Sequence, residues 1–276
     1  MKFTHLLAAT CVLAASGPAF AADLAVRKAV APVAVAPVPY SWTGFYVGLN
    51  AGYAWSNNST SYNYLLAGGP GDVPEFLASS GFPTGFDNTS GGFIGGGQVG
   101  YNYQIGSVVV GLEADIQYVD QKSESGYAIA LSDADGFSTT AVGTESQLKW
   151  FGTVRARLGY AMDRALIYAT GGLAYGSVET ASGILGSGVD YTDGPLYVVY
   201  GGSSSKTKVG WTIGGGLEYA LTNNLTLRGE YLYYDLGKTS YNIVGGSNIS
   251  GNEFLGATGT YKLTGNIVRA GVNWKF

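Results

Sequence analysis

The chain has 276 residues, with 15 lysines and arginines against 19 acids, a formal net charge of −4, and a single histidine and a single cysteine. A chain this acidic, lacking a basic stripe, excludes nucleic acid as an expected partner. Glycine at 44 and tyrosine at 21 residues, with only 12% charged side chains, favour an all-β chain rich in aromatics.

The N-terminus reads MKFTHLLAATCVLAASGPAFAADLA. Lys2 supplies the charge, Leu6 to Ala15 an apolar core, and Ala19-Phe20-Ala21 an A-x-A cleavage site, so residues 1–21 are expected to be a secretory signal peptide. His5 and Cys11 would leave with it. The exported chain then has neither thiol nor imidazole. That excludes a cysteine nucleophile, a Ser-His or Cys-His pair and a histidine-ligated metal, and no cofactor or metal is expected. No later stretch offers roughly 18 consecutive apolar residues, so no helix is expected to span a membrane.

Residues 22–41 form an Ala/Pro-rich lead that ends AVAPVAVAPVPYS. From residue 42 to 276, eight segments alternate with the period of a strand. The first sets Phe45, Val47, Leu49, Ala51, Tyr53 and Trp55 against Gly44, Gly48, Asn50 and Gly52. In the second, GGFIGGGQVGYNY (91–103), Gly95, Gly97 and Gly100 spell G-x-G-x-x-G. A dinucleotide fingerprint needs a helix after the glycines. Here strand-like alternation follows instead, with Val99, Tyr101 and Tyr103 opposite Gln98, Gly100 and Asn102. The glycines are therefore read as relief of crowding in a tightly curved sheet, Gly95 and Gly97 facing outward and Gly96 and Gly100 inward.

The third segment opposes Val108, Val110, Leu112, Ala114, Ile116 and Tyr118 to Gly111, Glu113, Asp115 and Gln117. The fourth opposes Trp150, Val154, Ala156, Leu158 and Tyr160 to Thr153, Arg155, Arg157 and Gly159. The fifth, 165–176, is apolar or small on both faces. In the sixth, Val209, Trp211, Ile213, Leu217 and Tyr219 stand against Lys208, Thr212 and Glu218. The seventh and eighth oppose Leu225, Leu227, Tyr231 and Tyr233 to Thr226, Arg228 and Glu230, then Val268, Ala270, Val272, Trp274 and Phe276 to Arg269, Asn273 and Lys275.

Connections alternate in length. Turns of a few residues fall near 105–107, 162–164 and 221–224, while 56–90, 120–146, 178–206 and 237–262 are expected to be long loops. Long loops on one side and short turns on the other are the pattern of an outer-membrane barrel, and a soluble sandwich has no reason to keep that asymmetry. The expected fold is an all-β, eight-stranded antiparallel transmembrane β-barrel with long extracellular loops and short periplasmic turns. Trp55, Trp150 and Trp211 would mark its outer interface, and Tyr160, Tyr219 and Trp274 its periplasmic one. Trp150 to Tyr160 at ~3.3 Å per residue and a tilt near 40° spans about 25 Å, the height of such a barrel's apolar band.

The lumen of an eight-stranded barrel is just wide enough for side chains to fill it. Inward positions hold four acids, Glu113, Asp115, Glu218 and Glu230, and four arginines, Arg155, Arg157, Arg228 and Arg269. Two readings stand: a plug of ion pairs, or a charged constriction lining a narrow ion path. Catalysis is not expected, because carboxylates among arginines are driven to low pKa, away from acid–base work at neutral pH. Loop aspartates Asp133, Asp135, Asp190 and Asp193 lack the spacing of an EF-hand loop.

Read together, SWTGFYVGLNAGY (41–53), GGFIGGGQVGYNYQ (91–104), KWFGTVRARLGYA (149–161), YATGGLAYG (168–176), GWTIGGGLEYAL (210–221), LRGEYLYYDLG (227–237) and VRAGVNWKF (268–276) resemble the small outer-membrane porin-like proteins of alphaproteobacteria, which include immunogenic surface antigens. The resemblance implies an eight-stranded barrel with variable surface loops and no catalytic residues. It also implies a terminal phenylalanine, here Phe276, read by the barrel-assembly machinery. Outer-membrane lipids and lipopolysaccharide are the other expected partners. The expected function is a structural, surface-exposed barrel with small-solute porin activity as a further capacity. The alternative is a surface binder of haemin or host, and a loop tyrosine such as Tyr62, Tyr64 or Tyr191 would then have to ligate haem.

Overall fold

The computed structural model describes residues 39–66, 82–132, 136–190, 194–247 and 254–276. The leader, the lead as far as Val38, Asp133, Asp135, Tyr191 and Asp193 lie outside them. The described residues build eight antiparallel strands: β1 (Gly44–Leu66), β2 (Gly85–Ile105), β3 (Val108–Ser132), β4 (Gly136–Met162), β5 (Ala165–Asp190), β6 (Gly194–Ala220), β7 (Leu225–Ser247) and β8 (Phe254–Lys275). Neighbours in sequence pair in order, and β8 pairs back onto β1, so the sheet closes on itself with no free edge.

The three tight turns fall where the sequence places them, at Gly106-Ser107, Asp163-Arg164 and 221–224. Gly106 and Asp163 hold the left-handed conformation, with φ of 63° and 51°. Glycine is needed inside the sheet for a different reason. A Cβ built on the inward Gly96 would lie 2.1 Å from the Ile116 carbonyl oxygen, and one on Gly100 would lie 2.4 Å from the Tyr46 ring. On the outward Gly97 it would meet nothing nearer than 3.8 Å. Close approach of strands around a narrow barrel thus explains the glycine cluster of β2.

The expected loops are largely strand. The strands run 21 to 27 residues, whereas a tilted membrane strand needs about 9–11. Because the turns at one end are tight, the excess extends β1–β8 beyond the outer end of the apolar band. The ladder shifts register near that boundary, between Tyr118 and Gln121 on β3, Leu148 and Phe151 on β4, and Asp235 and Lys238 on β7. Barrel rims are where bulges concentrate.

Burial exchanges sides across the same boundary. In the lower barrel the outer face is apolar and exposed (Leu49, Leu112, Leu158, Leu217 and Val268), while the inner face is polar and buried. In the extension the outer face of β1, β7 and β8 turns to Asn57, Ser59, Ser240, Thr260 and Lys262, while β3–β6 keep exposed apolar side chains such as Tyr127, Leu185 and Val199. Its inner face becomes a soluble-type core of Val142, Val178, Ile184, Tyr200, Ile243, Tyr261 and Leu263. Tyr62 and Tyr64 belong to this core. Tyr62 bonds the Thr144 hydroxyl, and the Tyr64 hydroxyl donates to the Pro83 carbonyl at 2.5 Å. They are not loop residues available to a ligand.

The residues just before β1 also pack inward. Trp42 is 1% exposed and joins Tyr40, Val109, Ala161, Leu166, Tyr168 and Ala220 in a second apolar cluster at the tight-turn end. Its amide donates to Gln104 Oε1 at 2.7 Å and its indole Nε1–H to the Asp163 carbonyl at 3.1 Å. The Tyr40 ring meets Trp42 edge-on at 5.0 Å, with the Lys275 ammonium 4.4 Å from its centroid. Tyr40, expected in the lead, thus packs at the barrel's tight-turn end, and the exposed Ser41 accepts from the Lys275 ammonium at its carbonyl.

Candidate functional site: the luminal charge network

Strand parity decides which charges meet. Glu113 on β3 stands across the ladder from Arg155 on β4, Glu218 on β6 from Arg228 on β7, and Glu230 on β7 from Arg269 on β8. Asp115 and Arg157 are one inward step away, so all eight predicted residues converge in one layer of the lumen. Each is at most 5% exposed.

Arg155 bridges three carboxylates, with Nη2 2.5 Å from Glu113 and 2.9 Å from Asp115, and Nη1 3.0 Å from Glu230. Arg157 joins Glu113 at 3.0 Å to Glu218 at 2.9 Å. Arg228 lies 2.5 Å from Glu113, and Arg269 reaches Glu230 at 2.5 Å and Asp115 at 3.0 Å. Four negative and four positive groups leave the layer formally neutral. Buried charge is tolerated on these terms, paired and hydrogen-bonded, and the planar guanidinium suits it by serving two carboxylates at once.

Neutral side chains complete the layer. The Tyr46 hydroxyl donates to Glu113 at 2.6 Å and the Tyr168 hydroxyl to Glu230 at 3.1 Å. The Arg157 guanidinium lies 4.0 Å over the Tyr168 ring. Thr226 and Asn273 both donate to Glu218 Oε1, Thr153 to Asp115, and Gln98 accepts from Arg228 at 2.6 Å. None of these was singled out as a site residue from the sequence. Gln98, Thr153, Thr226 and Asn273 were legible as inward-facing. Tyr46 follows from the parity that turns Asn50 inward, yet an aromatic in an apolar band reads as lipid-facing. Tyr168 lies in the segment whose two faces look alike.

Apolar side chains lie on both sides of the network. Tyr168 belongs at once to the charge layer and to the Trp42 cluster beneath it. On the other side lie Ile94, Val119, Phe151, Leu232 and Tyr234, with the Phe151 and Tyr234 rings 4.9 Å apart. At the tight-turn end, burial pushes the Tyr40 hydroxyl up to about 12, with Glu218 adding and Arg164 opposing, so it stays neutral at physiological pH. At the base of the extension, Lys149 stands 2.8 Å from Glu179 and holds its carboxyl below the usual range. Among the described residues, no group of three or more His, Cys, Asp or Glu is placed to hold a metal ion.

The expected interfacial aromatics all stand on the outer face. Trp211, Tyr160, Tyr219 and Trp274 are about half exposed, and Trp55 and Trp150 are partly covered. Trp150 meets Tyr175 at 5.9 Å and Trp211 meets Tyr233 at 5.4 Å. Phe276 is exposed, and its amide donates to the Phe45 carbonyl at 3.0 Å, beside the β1–β8 closure.

Comparison with known proteins agrees with this architecture. Residues 7–276 match the family model described as outer membrane protein beta-barrel domain. The chain is 40% identical, over the full length of both, to a 31 kDa outer-membrane immunogenic protein of Brucella melitensis biotype 1. It is 30% identical to a 25 kDa outer-membrane immunogenic protein of Brucella abortus biovar 1, covering 98% of this chain and 97% of that one. A 22 kDa outer membrane protein of Rhizobium leguminosarum bv. viciae is 34% identical, covering 75% of this chain and 70% of that one. An apolar belt around a closed eight-stranded sheet, together with these relatives, settles the family: the chain is a member of the alphaproteobacterial outer-membrane β-barrel family to which these relatives belong.

Proposed function

We propose that this protein is a sealed structural barrel of the outer membrane, which carries no solute path and displays a rigid, strand-built extension at the cell surface. One observation carries the reading: the lumen is occupied in three successive layers, the Trp42 cluster, the neutral charge network and the aromatic–aliphatic core around Phe151 and Tyr234. A charged ring that conducts needs water and room beside it. Here every carboxylate of the layer is engaged by an arginine. The same engagement supports a non-enzymatic role. Partners in this reading are the surrounding lipids, lipopolysaccharide on the outer leaflet, and the assembly machinery at Phe276. Liposomes carrying the folded protein should swell in isosmotic arabinose no faster than empty ones, and sugar-dependent swelling would refute the sealed lumen.

A further inference from the structure

Strand β6 pairs with β7 at Val198–Gly201 and again at Trp211–Ala220, but Gly202–Gly210 faces Leu236–Ile243 without a ladder. The seam is pinched at both ends. A Cβ on Gly202 would lie 2.0 Å from the Asn242 carbonyl oxygen, and one on Gly210 would lie 1.9 Å from that of Asp235. Between the pinches the sequence of β6 is SSSKTKV. Lys206 is exposed, Lys208 is half-buried with its ammonium donating to the Lys238 carbonyl at 2.9 Å, and Lys238 stands directly across the ladder from Lys262.

Two lysines facing each other across strands repel, and none of these four has a carboxylate within 4.0 Å among the described residues. The acids nearest in the ladder are already engaged, Glu179 by Lys149 and Asp235 by the Gly237 amide at 2.7 Å. The Ser204 hydroxyl is buried and lacks a partner. Across β3 and β4 the like charges that face each other are acidic, Glu124 opposite Glu145. Hydroxyls, ammonium groups and strand backbone free of a ladder are the donors an anion requires.

Height names the anion. Gly210 adjoins Trp211, whose ring packs on Tyr233 at the outer aromatic level, so the seam opens at the level of the outer headgroups. We propose that the β6–β7 seam binds the phosphorylated head of an outer-leaflet glycolipid through Lys206, Lys208, Lys238 and Lys262, an inference that rests on the reading that lipopolysaccharide surrounds the barrel. Bound phosphate would neutralise the opposed lysines and order the seam.

The test uses the full mature chain refolded in detergent, with folding verified by its heat-modifiable mobility, and diphosphoryl lipid A, dephosphorylated lipid A and inorganic phosphate as probes. Each basic group near an anionic headgroup contributes enough that Lys206→Gln/Lys208→Gln/Lys238→Gln should bind diphosphoryl lipid A about a hundredfold more weakly, and Lys238→Gln alone about fivefold. The control Lys122→Gln, on β3 away from the seam, should change affinity by less than about twofold. Equal loss in the control, or full affinity in the triple variant, overturns the seam. Where the triple variant fails to fold, Lys238→Gln decides in its place. Equal binding of dephosphorylated lipid A, or of phosphate alone, overturns the glycolipid head as its occupant. A parent that binds no lipid A removes the lipopolysaccharide reading as well, whereas binding untouched by the lysines removes only this site.

Discussion

Glu113 on β3 faces Arg155 on β4 across one ladder rung, and the guanidinium Nη2 stands 2.5 Å from its carboxylate. Arg155 is also the partner of Asp115 and Glu230, so removing it strands three buried acids. Arg155→Met should therefore lower stability by ~3–5 kcal/mol, the cost of leaving a buried charge uncompensated. Urea unfolding of the refolded protein in micelles checks this, and a loss below about 1 kcal/mol would show that the layer is hydrated.

Facing makes a second prediction. Val154 is 48% exposed on the apolar belt, while Thr153 beside it is wholly buried and donates to Asp115 at 2.8 Å. Val154→Arg places a charge at mid-membrane and should cost ~2–4 kcal/mol. Thr153→Arg adds a fifth guanidinium to a filled, neutral layer and should block folding instead. Heat-modifiable mobility separates the two outcomes, and a Val154→Arg barrel as heat-resistant as the parent would place the strand in the opposite phase.

The glycine cluster of β2 gives a paired test. Gly96→Ala forces a methyl group onto the Ile116 carbonyl, whereas Gly97→Ala has open space. Overpacking of this kind costs about 1–3 kcal/mol, so refolding yield should fall for the first variant and hold for the second. Equal yields would mean that the barrel wall relaxes freely at this point.

Trp42 closes the tight-turn end with an indole that is almost fully buried. Trp42→Ala should cost ~3–5 kcal/mol through the cavity it leaves. Thermal unfolding of the variant by circular dichroism checks this, and an unchanged midpoint would mean that Trp42 does not close the tight-turn end.

The membrane band was legible in the sequence because lipid and lumen impose opposite polarities on alternate residues, and the period of two is clear in every segment but the fifth, 165–176. The extension was not. Asn57, Ser59 and Thr60 beside Tyr62 and Tyr64 read as a polar loop, because the apolar residues there change to the inner face once lipid is left behind. A pattern that inverts midway along a strand looks like the end of the strand. The charged members of the site could be read from parity, since four acids and four arginines on inward positions of a narrow lumen are driven to pair with one another. Tyr46 and Tyr168 escaped because a tyrosine fits either face of a membrane strand. Trp42 precedes the first alternating run, where periodicity carries no information.

The sealed lumen is tested most directly by single-channel recording of the refolded mature protein in a planar bilayer, with folding verified on the same sample. No conductance steps are predicted from the parent, and Arg155→Ala, if it assembles, should be silent too, because the Trp42 cluster and the Phe151–Tyr234 layer remain. Reproducible steps from the parent, altered by Arg155→Ala, would contradict the account and make the charge network the wall of an ion path.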